Sequence, residues 1–341
     1  MLFFKNDYSN GAHPAIMEAL CKTNLELTVG YGVDHYCLKS NEIIRALCHA
    51  PQADVHYLVG GTQANKTAIG AFLRPWEAVI SAESGHIQVH EAGAIEHNGH
   101  RLYLCPAVAG KLTPDAVRSV CQLYAEEETA AAPKLVYISN TTELGTVYSR
   151  AELEALRAVC DEWDLYLYCD GARLACAMAV SDTDFADYAA FCDAFTIGGT
   201  KNGLLFGEAL VITNPALMPS FRRCLKQQGA MLAKGRLLGV QYIAALENGL
   251  YMELANQSMS AARQLREGLQ AMNIPMLIDS PSNQLFPILP TDVIAALQEQ
   301  VEFEFWSKID EGHSCIRFVT AWHTTQEEVS SLLEVLKKLL A

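Results

Sequence analysis

Several things are missing from this chain of 341 residues, and each absence narrows what it can be. Its 11 cysteines and 10 histidines show no CxxC, no HExxH and no metal-ligand spacing, so no metal site is expected. The cysteines, Cys21, Cys37, Cys48, Cys105, Cys121, Cys160 and Cys169 among them, are scattered and form no disulfide framework, which points to reduced, packed thiols. No apolar run reaches the length of a membrane span, and the opening MLFFKNDYSNG carries neither a basic leader nor an apolar signal region. A soluble cytoplasmic protein is the expectation. Basic residues are few: 25 Lys and Arg face 39 Asp and Glu, a net charge of −14 with no basic stripe to offset it. That balance disfavours nucleic acid or anionic lipid as a partner and favours a small-molecule substrate.

What is present is a globular chain, 50% hydrophobic and 19% charged, long enough for a substantial core and for two domains. Two short stretches organise it, Tyr166–Arg173 (YLYCDGAR) and Phe195–Asn202 (FTIGGTKN). Both read as buried strands ending in polar residues, and in alternating α/β chains the carboxyl ends of strands carry the ligand groups. Asp170, Arg173 and Lys201 are therefore expected in one crevice. A desolvated lysine can form a Schiff base with an aldehyde cofactor, and a buried carboxylate can keep a pyridinium nitrogen protonated. The plainer alternative makes Asp170 a helix cap and Lys201 a solvated loop residue.

In chain order, NDYSNGAHP leads into a helix from about Ala15 to Lys22, followed by the glycine- and aromatic-rich VGYGVDHYCLKSNEII. Tyr31, Asp34, His35 and Tyr36 in that loop could face a ligand or a partner subunit. VHYLVGGTQANKTAIGAFL reads as strand, glycine turn and helix, a place where backbone N–H groups of Gly61 and the hydroxyl of Thr62 can hold an anion. It is neither GxGxxG nor GxxxxGK[ST], so no nucleotide triphosphate is implied. A helix is expected to open near His86, with His86 and His90 on one face and Glu91 nearby. His86 suits stacking on a flat cofactor ring; the plainer alternative is a half-buried histidine. Further strands at Leu102–Ala107 and Lys134–Ser139 alternate with helices at Thr113–Glu127 and from Arg150, the rhythm of a mainly parallel, doubly covered sheet. GEALVIT (Gly207–Thr213) leaves room for an antiparallel pairing with the Lys201 strand. Helical stretches Phe221–Gln227 and Leu237–Glu253 follow. Beyond them the pattern is helix, strand (PMLI), strand (QLFPIL), helix, strand (EFEFW), strand (CIRFVT), helix, a small α+β unit. No internal repeat or low-complexity tract occurs.

The order GGT, ESGHI with EAGA, DGAR, TK and IRFVT resembles the threonine aldolase and β-eliminating lyase family, in the aspartate aminotransferase type of pyridoxal phosphate enzyme. DGARL with a lysine 31 positions after its aspartate is the most specific part. The resemblance implies a large pyridoxal-phosphate-binding domain (1–250, its first ~12 residues an arm) with a mainly parallel seven-stranded sheet, and a small α+β domain (251–341). It further implies that Lys201 forms the imine with pyridoxal 5'-phosphate, Asp170 holds the pyridine nitrogen, and His86 stacks on the ring. Gly61, Thr62 and Thr200 would hold the phosphate. Arg173 would sit beside the cofactor's phenolic oxygen and the substrate, and Arg317 would grip the substrate carboxylate with its bidentate fork. Asn6 aligns loosely with a substrate-contacting position, and Tyr31 is a further substrate candidate. Lys234 or Arg236, in QQGAMLAKGRLLG, would reach a neighbouring subunit's site. Many members carry SKGLGAPVG where this chain has TKNGLLFGE, so the loop beside the lysine differs.

The implied activity is cleavage of L-threonine, L-allo-threonine or a related β-hydroxy-α-amino acid to glycine and an aldehyde. His86 is the first candidate for the base at the β-hydroxyl, with His90 or an ordered water behind it. The rival readings are β-elimination or amino transfer on the same frame, and a non-catalytic relative that binds an amino acid or cofactor. A homodimer or homotetramer is expected by resemblance.

Overall fold

The computed structural model describes residues 1–341. Strands β1 (Leu2–Phe3), β2 (Asp54–Leu58), β3 (Glu77–Ala82), β4 (Leu102–Cys105), β5 (Ala132–Ser139), β6 (Tyr166–Asp170), β7 (Ala194–Gly198) and β8 (Glu208–Ile212) fall in the first part of the chain. All but β1 form one seven-stranded sheet in the order β2-β8-β7-β6-β5-β3-β4. The pairs from β7 through β6, β5 and β3 to β4 are parallel, while β8 runs antiparallel to both its neighbours. The mainly parallel sheet and the antiparallel return of GEALVIT are as the sequence predicts.

Why these stretches are strands is visible in their burial. Val136 and Ile138, Leu167 and Cys169, and Val211 pack into the cluster on one face. Leu135 and Tyr137, Tyr168, and Leu210 and Ile212 pack into the cluster on the other. A period of two with both faces covered by helices gives the continuous apolar runs of a doubly covered sheet. Helix starts follow local chemistry as well: Ser149 and Glu152 form a reciprocal capping box at Arg150–Glu162, and Thr113 caps Pro114–Tyr124.

The C-terminal part contributes β9 (Gln284–Leu285), β10 (Ile288–Pro290), β11 (Val301–Glu302), β12 (Glu304–Lys308) and β13 (His313–Val319). β13 pairs antiparallel with β10 and β12 along its length and with β9 at its end. The helix Leu250–Ala271 joins the two regions, burying Tyr251 and Ala255 in the core of the large sheet and Met259, Leu265 and Leu269 in that of the small one. The first residues belong with the end of the chain: β1 pairs parallel with β11, and Phe4 lies in the C-terminal core.

Five local expectations differ from the structure. QLFPIL is divided between β9 and β10, and EFEFW between β11 and β12, which belong to different sheets. PMLI is not a strand; Met276 makes one isolated bridge to Pro287, because Pro275 removes a donor and the segment leaves the sheet at once. The helical run expected over Leu237–Glu253 ends at Leu246 and restarts at Leu250, broken at Gly249, whose φ of 76° lies in the left-handed region. The helix at His86 is a single turn, His86–Val89, so His90 is its C-cap, although the two imidazoles still lie 5.4 Å apart. No helix is long and apolar enough to cross a membrane.

Candidate active site

The carboxyl ends of the parallel strands open into a cleft of about 310 Å³. β6 delivers Asp170 to it, and β5 delivers Ser139, which pairs in register with Asp170. β7 ends at Gly198, and the turn after it carries Thr200 and Lys201. β8 starts beside that end, because Glu208 pairs with Gly198, and Glu208 therefore also faces the cleft. The glycines in DGAR and IGGTK are required by close approach. A Cβ on Gly171 would lie 2.0 Å from the Thr196 carbonyl oxygen, and one on Gly198 would lie 2.5 Å from that of Ala172. Tyr242 and Tyr251 fix the same turn from behind, donating to the Ile197 oxygen at 2.6 Å and the Gly198 oxygen at 2.8 Å.

Asp170 is buried and accepts three hydrogen bonds: Oδ2 from Asn65 Nδ2 at 2.8 Å and from the Tyr137 hydroxyl at 2.9 Å, Oδ1 from the Ala172 N–H at 3.0 Å. The carboxyl is thus held in one orientation at the base of the cleft. Burial, and then the neighbouring Arg173 cation, push the Lys201 ammonium below its ordinary value, favouring the nucleophilic amine. Burial and then Asp170 push Glu208 well above the usual carboxylate range.

His86 stands over this floor. Its Nδ1 lies 2.7 Å from Glu91 Oε1, and Asn65 Nδ2 joins the same oxygen at 2.7 Å, so His86, Glu91, Asn65 and Asp170 form one chain of hydrogen bonds. Burial alone would lower the imidazole; the bond to Glu91 and the charges of Asp170 and Glu91 overcome it and raise it. His86, Glu91 and Asp170 offer donor atoms within 4.8 Å of one another, but these atoms are already engaged in that chain.

Gly61 and Thr62 line the opposite wall at the start of the helix Gly61–Phe72. Its N-cap, Gly60, supplies no side chain, so the first-turn N–H groups are left for an anion, and nothing lies within 4 Å of a Cβ placed on either glycine. Thr200 Oγ1 accepts from the Gly207 N–H at 2.9 Å.

Arg173 also lines the cleft, but one of its edges is taken: Nε and Nη2 donate to Asp7 at 2.7 and 3.0 Å. Arg317 sits in an adjoining cavity of about 340 Å³, with its guanidinium carbon 5.4 Å above the Trp306 ring. It donates to Gln284 Oε1 at 3.2 Å, has no acidic partner, and leaves its buried Nε without an acceptor. Burial and the nearby Arg173 push it below the ordinary arginine value. A guanidinium in that state suits a carboxylate.

The remaining sequence candidates are not brought to the cleft of their own chain. Asn6 Oδ1 caps the N–H of Tyr8 in a local turn, and its neighbours Asp7 and Tyr8 reach the site instead. Tyr31 lines a separate cavity with His56 and Arg222, because its loop is tied to the Ala233–Gly235 backbone, with the Tyr31 N–H donating to the Ala233 oxygen at 3.1 Å. Lys234 is exposed and Arg236 buried, and neither lines the cleft. Sequence reasoning missed Asp7, Asn65, Glu143 and Glu208. Only Glu143 had a local signal, since it lies in the polar turn NTTELGTVYS.

A cofactor with a planar ring nitrogen, an aldehyde and a phosphate fits these residues: Asp170 held by three hydrogen bonds, Lys201 and His86 lining the same cleft, and the uncapped helix N–H groups at Gly61 and Thr62. The fold defines the class. A tetra mutant of Thermus thermophilus aspartate aminotransferase matches 99% of this chain, with 96% of its own length covered, at a TM-score of 0.73 and 16% identity, a likeness of fold alone. Within that class the chain belongs to the beta-eliminating lyase family, whose pattern matches residues 4–288. It is 31% identical to the low specificity L-threonine aldolase of Pseudomonas aeruginosa over 334 residues, 96% of this chain and 95% of that one. The Escherichia coli low specificity L-threonine aldolase is 26% identical over 282 residues, 81% of each chain. The solved structure of Leishmania major threonine aldolase is 44% identical and covers 100% of both chains at a TM-score of 0.98.

Proposed function

We propose that this protein is a pyridoxal-phosphate-dependent aldolase that cleaves L-threonine, L-allo-threonine or a related β-hydroxy-α-amino acid to glycine and an aldehyde. One observation carries this reading: Lys201, lowered from its ordinary value, lines one cleft with the hydrogen-bonded Asp170, and an arginine with no ion-pair partner lines the adjoining cavity. The names of the relatives in the same family point the same way.

When bound, the cofactor supplies an electron sink for the bond broken at Cα. Lys201 would hold its aldehyde carbon and Asp170 its ring nitrogen, with His86 against the ring. Gly61, Thr62 and Thr200 would hold the phosphate. Arg317 takes the substrate carboxylate, which fixes the rotation about the Cα bonds and so selects which one breaks. Arg173, steadied by Asp7, keeps one edge for the cofactor oxygen or the substrate.

A boundary near residue 250 is proposed between a cofactor-binding domain and a smaller domain that supplies Arg317. A homo-oligomer is proposed too. Leu25, Leu27 and Val29 are exposed and run toward Tyr31 and Val33, an apolar strip beside the loop that carries Lys234 and Arg236. Contact across that strip would bring Tyr31, Lys234 or Arg236 to a neighbouring site. All eleven cysteines are free, which suits the reducing cytoplasm.

The test is a visible spectrum of the purified protein with added pyridoxal phosphate, before and after borohydride, with peptide mapping. An absorption band lost on reduction, with pyridoxyl fixed on Lys201, supports the cofactor and the lysine. Glycine plus acetaldehyde from L-threonine supports the aldolase reading, whereas ammonia plus a keto acid, or amino exchange with a 2-oxo acid, overturns it.

A further inference from the structure

Resting on the aldolase reading above, we propose that Glu143 is the base that takes the β-hydroxyl proton, the role the sequence assigns first to His86. Glu143 lies in the turn after β5 and lines both cavities, the one that holds Lys201 and Asp170 and the one that holds Arg317. No other residue is shared between the two walls. A substrate with its amino nitrogen at Lys201 and its carboxylate on Arg317 must place Cα, and the Cβ attached to it, at the junction that Glu143 flanks.

The carboxyl is prepared for that position. Oε1 accepts from the His86 N–H at 2.8 Å and from the Ser139 hydroxyl at 2.6 Å. Both bonds fall on one oxygen, which fixes the plane of the group and leaves Oε2 for a ligand. Burial raises Glu143 above the ordinary glutamate value, against the smaller opposing effects of Ser139, the backbone and His86, and this strengthens it as a base.

His86 is poorly placed for the same task. Its Nδ1 is bound to Glu91, and it lines the Lys201 cleft without reaching the Arg317 cavity. His90 is pushed toward the neutral form by burial, His86 and Arg317, but it lines only the Arg317 cavity.

The O–H proton passes to Glu143, the O–H pair becomes the second bond of the aldehyde carbonyl, and the Cα–Cβ bond breaks with its pair remaining at Cα. A proton then replaces Cβ on Cα to give glycine, and Glu143 returns to its starting state by losing its proton to solvent or to Cα.

The experiment compares the wild-type holoenzyme with Glu143→Gln and Glu143→Asp in four readouts: pyridoxal phosphate affinity by absorbance, glycine affinity by the spectral change on binding, deuterium exchange at the glycine Cα in D2O, and cleavage of L-threonine and L-phenylserine. Exchange at glycine breaks a Cα–H bond and involves no hydroxyl. The expected result for Glu143→Gln is a loss of about 10²- to 10⁴-fold in kcat for cleavage. Cofactor affinity, glycine affinity and glycine exchange should stay within about threefold of wild type. Glu143→Asp, which keeps a carboxylate, should recover part of the cleavage rate. Cleavage by Glu143→Gln at the wild-type rate overturns the assignment. So does a parallel fall of cleavage and glycine exchange in both variants, which would make Glu143 a support for the His86 turn. A wild-type protein that exchanges glycine but cleaves neither hydroxy amino acid overturns the aldolase reading itself, and this assignment with it.

Discussion

Asp7 and Arg173 stand 166 positions apart and are joined by two parallel hydrogen bonds, Arg173 Nε to Asp7 Oδ2 at 2.7 Å and Nη2 to Oδ1 at 3.0 Å. The carboxylate is buried and takes a further bond from Asn283 Nδ2 at 2.9 Å. One ion pair thus ties the N-terminal arm, the DGAR turn and the C-terminal sheet together.

Replacing one member strands the other. Asp7→Asn should cost about 3–5 kcal/mol in urea unfolding, because it leaves the Arg173 charge buried without a counter-charge. Asp7→Asn together with Arg173→Gln should recover part of that loss. Additive losses in the two single variants would show that the pair is not coupled.

The same pair sets a pH dependence. Burial would raise Asp7, but the charges of Arg173 and Lys201 and the bonds from Arg173 and Asn283 hold it below its ordinary value. A carboxylate with a lowered native pKa contributes stability that is full above the unfolded value, about 3.9, and is lost as the pH falls through the native one. Wild type should therefore lose stability more steeply below about pH 4 than Asp7→Asn does, measured by thermal melts across the acid range. Equal slopes would remove Asp7 from the acid transition.

Lys201→Ala should abolish turnover and leave no borohydride-fixable label, while the protein still folds. Retention of both would show that another lysine carries the chemistry.

Arg317→Ala should act on substrate capture. The loss of hydrogen bonds to a charged group predicts a rise in KM on the order of 10- to 100-fold, with a smaller change in kcat. An unchanged KM would mean that the carboxylate binds elsewhere, and Arg317→Lys should restore charge but not the forked geometry.

His86 should titrate above an ordinary histidine, and Glu91→Gln should lower it, because the charge of Glu91 is gone and only Asp170 is left to oppose burial. NMR titration of the imidazole in the two proteins checks this. A His86 that titrates alike in both would leave the short Nδ1 contact without an energetic role.

Much of the site is legible in the sequence because it is punctuated locally. Asp170, Arg173 and Lys201 stand at strand ends marked by glycines, and those glycines are there because Gly171 and Gly198 pass too close to neighbouring carbonyls for a Cβ. Gly61 and Thr62 are marked by a helix start. Asp7, Asn65 and Glu208 carry no such mark: each matters only through a residue that the fold brings from far away in the chain, as with Asn65 and Asp170, 105 positions apart. Tyr31 shows the converse. An aromatic between two glycines looks like a ligand loop, yet its backbone is pinned to Ala233 and faces another cavity. PMLI is apolar enough for a strand, yet Pro275 has no N–H to donate to a ladder.

The pairing of β1 with β11 bears on how the protein is made. Leu2 and Phe3 leave the ribosome about 300 residues ahead of their partners Val301 and Glu302. At about 5–20 residues per second, synthesis of the intervening 300 or so residues takes roughly 15–60 s. Throughout that interval the arm has no strand to join and Asp7 lacks Asn283. The large sheet can assemble on the nascent chain, but the catalytic cleft closes only after translation has passed β13.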